Sequence, residues 1–96
     1  MEYPQHLRNA YVDAYADKCS ALWRLVDAKE RVALLGLRTT RGNLAPRVTE
    51  QDVTEARAKV ARLSAEKDEA VSRSLAALRA LAAAENTYYS QEGANP

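Results

Sequence analysis

The sequence predicts an all-α protein, a long antiparallel helix–loop–helix hairpin that associates into a helical bundle. Three observations lead there. Two long stretches carry apolar residues at steps of three and four, the period of a helix with one buried face. A short segment with Gly42, Pro46 and β-branched residues separates them. Alanine, the best helix former, occurs 19 times in 96 residues, and Phe is absent. Alanine contributes little apolar area, so such helices need length or a second chain to become stable.

The first helix is expected from about residue 4 to 37, with Pro4 suited to its start. Its apolar stripe reads Val12, Tyr15, Cys19, Leu22, Val26, Ala33 and Leu37, with Lys29 interrupting it. A second row, Leu7, Tyr11, Ala14 and Leu25, widens the face, and Asp27 and Arg31 form a favourable i,i+4 pair. A break near residue 30, where the stripe is sparse, gives three helices instead. The loop, 38–48, contains Thr39-Thr40-Arg41-Gly42-Asn43-Leu44-Ala45-Pro46.

The second helix, about 49–89, has the clearest local signal. Thr49 is its N-cap and Asp52 stands three residues on, a variant of the capping box. Val48 and Val53 fit a hydrophobic staple, and Glu50 and Asp52 put negative charge at the positive end of the helix dipole. The stripe is heptad-like: Val53, Ala56, Val60, Leu63, Lys67, Ala70, Ser74, Ala77, Leu81, Ala84, Tyr88. A parallel stripe, Val71, Leu75, Leu78 and Ala82, opens halfway and suggests a stutter near Lys67–Val71. Glu55–Lys59 and Glu69–Arg73 add i,i+4 support. The tail, 90–96, is expected to fray, and the whole chain to form a single domain.

Counting outward from Asn43 sets Trp23 near Leu63, Tyr15 near Val71, Tyr11 near Leu75 and Tyr3 near Ala83. Tyr88 and Tyr89 then fall at or beyond the open end. Two helices bury one face each, and this chain has apolar residues to spare. Surplus apolar surface implies a partner, either a second copy or another protein. The expected contact residues are Trp23, Leu34, Leu35, Val71, Leu75, Leu78, Leu81 and Ala82.

Little in the sequence points to chemistry. One Cys and one His exclude an intrachain disulfide and four-residue Cys/His zinc sites. Cys19 and His6 are too far apart along one helix to form a dyad, and Cys19 is expected as a buried thiol on the apolar stripe. No Glu-x-x-His pair or Gly-rich phosphate loop occurs, so no catalytic residue, metal or cofactor is assigned, and no small-molecule substrate. The stripes suggest no pocket lined by charges from both helices. The net charge of +1 argues against a polyanion binder overall. Arg38, Arg41 and Arg47 nevertheless gather without an acid in the loop and are the candidate contacts for nucleic acid. No secretory signal and no run of ~18 apolar residues is evident. The expected location is the cytoplasm, with secretion without a cleavable signal, or a phage particle, as alternatives.

Two family resemblances can be drawn. Leu25-Val26-Asp27-Ala28-Lys29 and Leu34-Leu35-Gly36-Leu37-Arg38 are similar to the long first helix of the small chorismate mutases. Glu30 and Arg31 stand where that family has apolar residues, and no site residue carries over. Tyr88 and Glu92 form a Tyr-x-x-x-Glu that resembles the C-terminal export signal of the WXG100 proteins, helical hairpins of similar length. The Trp-x-Gly of that family is replaced in the turn by Arg41-Gly42-Asn43. The expectation is a non-enzymatic protein-interaction or assembly protein: an adaptor, an oligomerisation module or a small phage or bacterial inhibitor. A nucleic-acid-binding dimer using the Arg-rich loop, or a WXG100-like secreted hairpin, is the alternative.

Overall fold

A computed structural model describes residues 1–38 and 41–94, and for Ala94 the backbone alone. The expected Thr39-Thr40 part of the loop and the last two residues of the expected tail lie outside the described residues. The chain forms two helices, α1 (Gln5–Leu35) and α2 (Glu50–Ala94), joined as a helix–loop–helix hairpin. Both boundaries of α1 fall within two residues of expectation, and α1 does not break near residue 30. The fraying expected from Ser90 is not seen, since α2 continues to Ala94. Residues 90–92 include no helix breaker, and the single Gly93 costs about 1 kcal/mol relative to alanine, too little to unravel the turn before it.

The ends of the helices follow from local chemistry. At the end of α1 the Gly36 amide donates to the Val32 carbonyl (2.9 Å) and the Leu37 amide to the Leu34 carbonyl (3.4 Å), tightening the last turn. A Cβ on Gly36 would sit 3.1 Å from that Val32 oxygen, so the smallest residue occupies the exit. Beyond it Arg38 pairs with Leu44 in an isolated antiparallel bridge. Gly42, at φ 81°, makes the turn between them. Arg38 donates to the Gly42 carbonyl (3.2 Å) and bridges to Glu50 (3.0 Å), tying the loop to the first turn of α2. A second turn follows, in which the Val48 amide donates to the Ala45 carbonyl (3.0 Å) and Arg47 takes φ 70°. The expected capping box forms in full. The Thr49 hydroxyl accepts from the Asp52 amide (3.1 Å), and the Asp52 carboxylate accepts from the Thr49 amide (2.9 Å).

The buried row of α2 is the stripe the sequence shows. Val53, Leu63, Ala70, Ser74 and Leu81 are buried, and Ala56, Val60, Lys67, Ala77, Ala84 and Tyr88 are half-buried between them. Its three-and-four spacing runs unbroken from Val53 to Tyr88, so the expected stutter is absent. Lys67 holds its place by half-burying its stem and turning its ammonium to Asp68, 2.6 Å away.

On α1 the structure corrects the expectation. The row facing α2 is the secondary one, extended: Leu7, Tyr11, Ala14, Lys18, Ala21, Leu25, Ala28, Val32 and Leu35, every member buried or half-buried. The row read as dominant faces out, with Val12 55%, Tyr15 46%, Leu22 40% and Val26 50% exposed. The two rows lie one residue, or about 100°, apart. Next to the turn, the row through Leu25, Ala28, Val32 and Leu35 is wholly apolar, whereas its rival carries Lys29.

The chain divides into two compact units. In residues 20–68, Leu25, Ala28 and Leu63 form the core cluster, with Val60 packed against it. The pairing is shifted from the expected one: Leu25, not Trp23, meets Leu63. The second turn at Ala45–Val48 lies between the helices and takes up chain before α2 starts. In residues 1–19 and 69–94, Tyr3 packs edge-on against Tyr88 (5.5 Å between ring centroids), and Tyr88 against Tyr89 (5.2 Å). Tyr88 therefore lies at this end opposite Tyr3, the first of the two expected placements.

Candidate interaction faces

Each helix has a buried row, and the residues one step before and one step after that row define two flanks. In an antiparallel pair, residues one step after the row fall on the same side for both helices, and residues one step before fall together on the other. Contacts within residues 20–68 bear this out. Arg24 and Glu66, each one step before a row residue, form an ion pair at 3.7 Å. Lys29, Arg57, Ala61 and Ser64, each one step after, line one shallow groove of about 370 Å³ with Val32 and Val60.

The two flanks differ in chemistry. The side before the row is charged. In residues 20–68 it contains Arg24, Asp27, Arg31, Asp52, Glu55, Lys59 and Glu66, and in the other unit Asp13, Asp17, Glu69 and Arg73. Glu69 and Arg73 form the expected i,i+4 bridge at 3.6 Å. Asp27–Arg31 and Glu55–Lys59 do not pair. Instead Arg31 and Lys59, with Arg47, Asp52 and Glu55, line a cleft of about 400 Å³ floored by Ala28, Leu35 and Ala56. A cleft lined by charges from both helices is present, contrary to expectation. Asp52 is already engaged in the cap, and the cations and carboxylates alternate, so the cleft has no single strong sign of charge.

The side after the row carries Lys29 and Arg57 in residues 20–68 but is mainly apolar in the other unit. In the unit of residues 1–19 and 69–94 it presents Val12, Tyr15 and Cys19 from α1, and Val71, Leu75, Leu78 and Ala82 from α2. Leu75 is 46% and Leu78 41% exposed. The Lys18 ammonium lies 4.1 Å from the Tyr15 ring centroid and holds that ring by a cation–π contact. Cys19, expected as a buried thiol, is half-buried at the edge of this face.

The expected contact residues are thus separated. Leu75, Leu78 and Ala82 lie exposed on the apolar side, with Val71 half-buried beside them. Leu81 is buried in the chain's own row and is removed from the set. It precedes Ala82 by one residue, and that single step rotates it inward. Leu35 is half-buried at the turn, and Leu34, 61% exposed, falls on the charged side. Trp23 is 69% exposed on the outer surface of α1, which excludes a place in the hairpin core. Val12 and Tyr15 were missed as contacts because their row was read as facing the second helix.

The loop arginines are also separated. Arg38 is committed to Glu50 and Gly42, Arg41 is engaged in a further interaction, and Arg47 turns to the charged cleft. The Tyr88 and Glu92 pair lies within α2, not after it, and Tyr88 is held by its neighbouring rings. Among the described residues no group of His, Cys, Asp and Glu is placed to hold a metal ion, and no helix is long and apolar enough to cross a membrane. Comparison with protein-family models, curated proteins and solved structures gives no match.

Proposed function

We propose that the protein is a non-enzymatic interaction or assembly module that works through protein–protein contact on the apolar side of its hairpin. The observation that supports this is the division of the two flanks. Large aliphatic and aromatic side chains gather on one side of the unit of residues 1–19 and 69–94, whose own seam intersperses larger residues with Ala14, Ala70, Ala77 and Ala84. Several exposed apolar residues on one face mark an interaction surface, whereas a mixed-charge face remains solvated. The contact residues are Val12, Tyr15, Val71, Leu75, Leu78 and Ala82.

The test compares the two sides. Leu75→Asp and Leu78→Asp should abolish association, read as the mass of the complex in solution, with helix content unchanged by circular dichroism. Arg24→Ala and Glu66→Ala, on the charged side, should leave association intact. Association that survives the aspartates and fails with the alanines would place function on the opposite side and sink this reading.

A further inference from the structure

Resting on that reading, we propose that the apolar face of residues 1–19 and 69–94 is covered by the same face of a second copy. The product is a four-helix bundle about a two-fold axis parallel to the helices, with α1 of each chain beside α2 of the other. Surface area leaves room for a partner. The chain leaves 7197 Å² accessible at 10.6 kDa. A compact folded monomer of this mass exposes about 5,500 Å², so the chain as a whole keeps about 1,700 Å² more surface accessible, and the apolar face is part of that surplus.

The core of this unit is thin. Ala70, Ser74 and Leu81 are its only buried side chains, and α1 contributes none among the described residues. Val12, Tyr15, Leu75 and Leu78 stand on the outer face, while Leu7, Tyr11, Leu81 and Tyr88 lie in the seam, so each half offers apolar residues to two layers.

The face is also complementary to itself. A two-fold axis along the bundle keeps every residue at its own level. Tyr3, two residues ahead of α1, touches Tyr88, which sets the levels to within about one turn. Nine residues along the chain from Tyr3 is Val12, and ten residues back along α2 from Tyr88 is Leu78. Twelve along is Tyr15, and thirteen back is Leu75. Val12 of one chain therefore meets Leu78 of the other, and Tyr15 meets Leu75, each pair occurring twice. At the end of the face Arg8 stands five along and Glu85 three back, both one step after the buried row. Neither forms an ion pair within the chain among the described residues. The two-fold brings Arg8 of each chain to Glu85 of the other, so the apolar strip ends in two opposite-charge pairs. A net charge of +1 per chain sets little repulsion against pairing.

Solution mass by light scattering over a range of concentrations, together with disulfide trapping, tests this. Wild type should have twice the chain mass, and Leu78→Asp should be a helical monomer. In a Cys19→Ser background, chains with Tyr15→Cys mixed with chains carrying Leu75→Cys should cross-link to each other on mild oxidation. Either chain alone should not, since Tyr15 lies diagonal to its own copy. A wild-type monomer at all concentrations would overturn the second copy while leaving contact with a different protein intact. A dimer without the mixed cross-link would overturn the parallel two-fold. A dimer unaffected by Leu78→Asp would overturn both this proposal and the functional reading beneath it.

Discussion

Replacing Thr49 and Asp52, singly and together, asks how much the start of α2 depends on two hydrogen bonds. Thr49→Ala removes the hydroxyl that accepts from the Asp52 amide at 3.1 Å. N-cap replacements of this kind cost about 1 kcal/mol, within a range of about 0.5–2. Asp52→Ala removes the carboxylate that accepts from the Thr49 amide at 2.9 Å, together with a negative charge in the first turn. The charge contributes about 0.3–1 kcal/mol at low salt, and Asp52→Asn isolates it, because the amide oxygen still accepts. Asp52→Ala should therefore cost more than Asp52→Asn, and added salt should narrow only the charge component. A loss of about 1 kcal/mol lowers the melting temperature of a chain this size by roughly 4–8 °C. Thermal melts by circular dichroism at one fixed protein concentration read each variant, because the proposed association would make the midpoint concentration-dependent. The double variant should lose roughly the sum, because each bond has its own donor. Losses below about 0.3 kcal/mol for both single variants would mean that the reciprocal cap is not formed in solution.

Other substitutions test the seam and the loop. Leu25→Ala empties the centre of the core cluster and should cost about 2–4 kcal/mol in urea unfolding. A loss under about 1 kcal/mol would show that Leu25 is not packed against Leu63. Arg47→Gly should keep or raise the melting temperature, because glycine tolerates φ 70° without the roughly 1 kcal/mol that a side chain costs there. Arg47→Val should lower it, and the reverse order would refute the left-handed assignment. Arg38→Ala should cost at most about 1 kcal/mol, since its bridge to Glu50 is solvent-exposed. A much larger loss would show that the loop's course depends on that arginine.

Much of this protein is legible in residue order. The cap at Thr49, the extent of α1 to within two residues and the whole buried row of α2 follow from local rules. Capping needs only a side chain three residues from its amide, and α2 has one unbroken heptad row from Val53 to Tyr88. The tail was misread because Tyr88–Glu92 has few strong signals, and a lone Gly93 looks more like a stop than it proves to be.

What the sequence by itself determined is the pair of long helices, the turn between them and the surplus of apolar side chains. What only the tertiary structure decided is which row of α1 faces α2. Val12, Tyr15, Cys19, Leu22 and Val26 have the same three-and-four spacing as Tyr11, Ala14, Lys18, Ala21 and Leu25, one residue away. Periodicity measures spacing along a helix and is blind to a rotation of about 100° about its axis. In residues 20–68 that rotation shows in Leu25 and Ala28 clustering with Leu63, with Val60 packed against them, while Trp23 turns outward. In the other unit it shows in Leu81 turning inward, while Val12 and Tyr15 join Leu75 and Leu78 on an uncovered face.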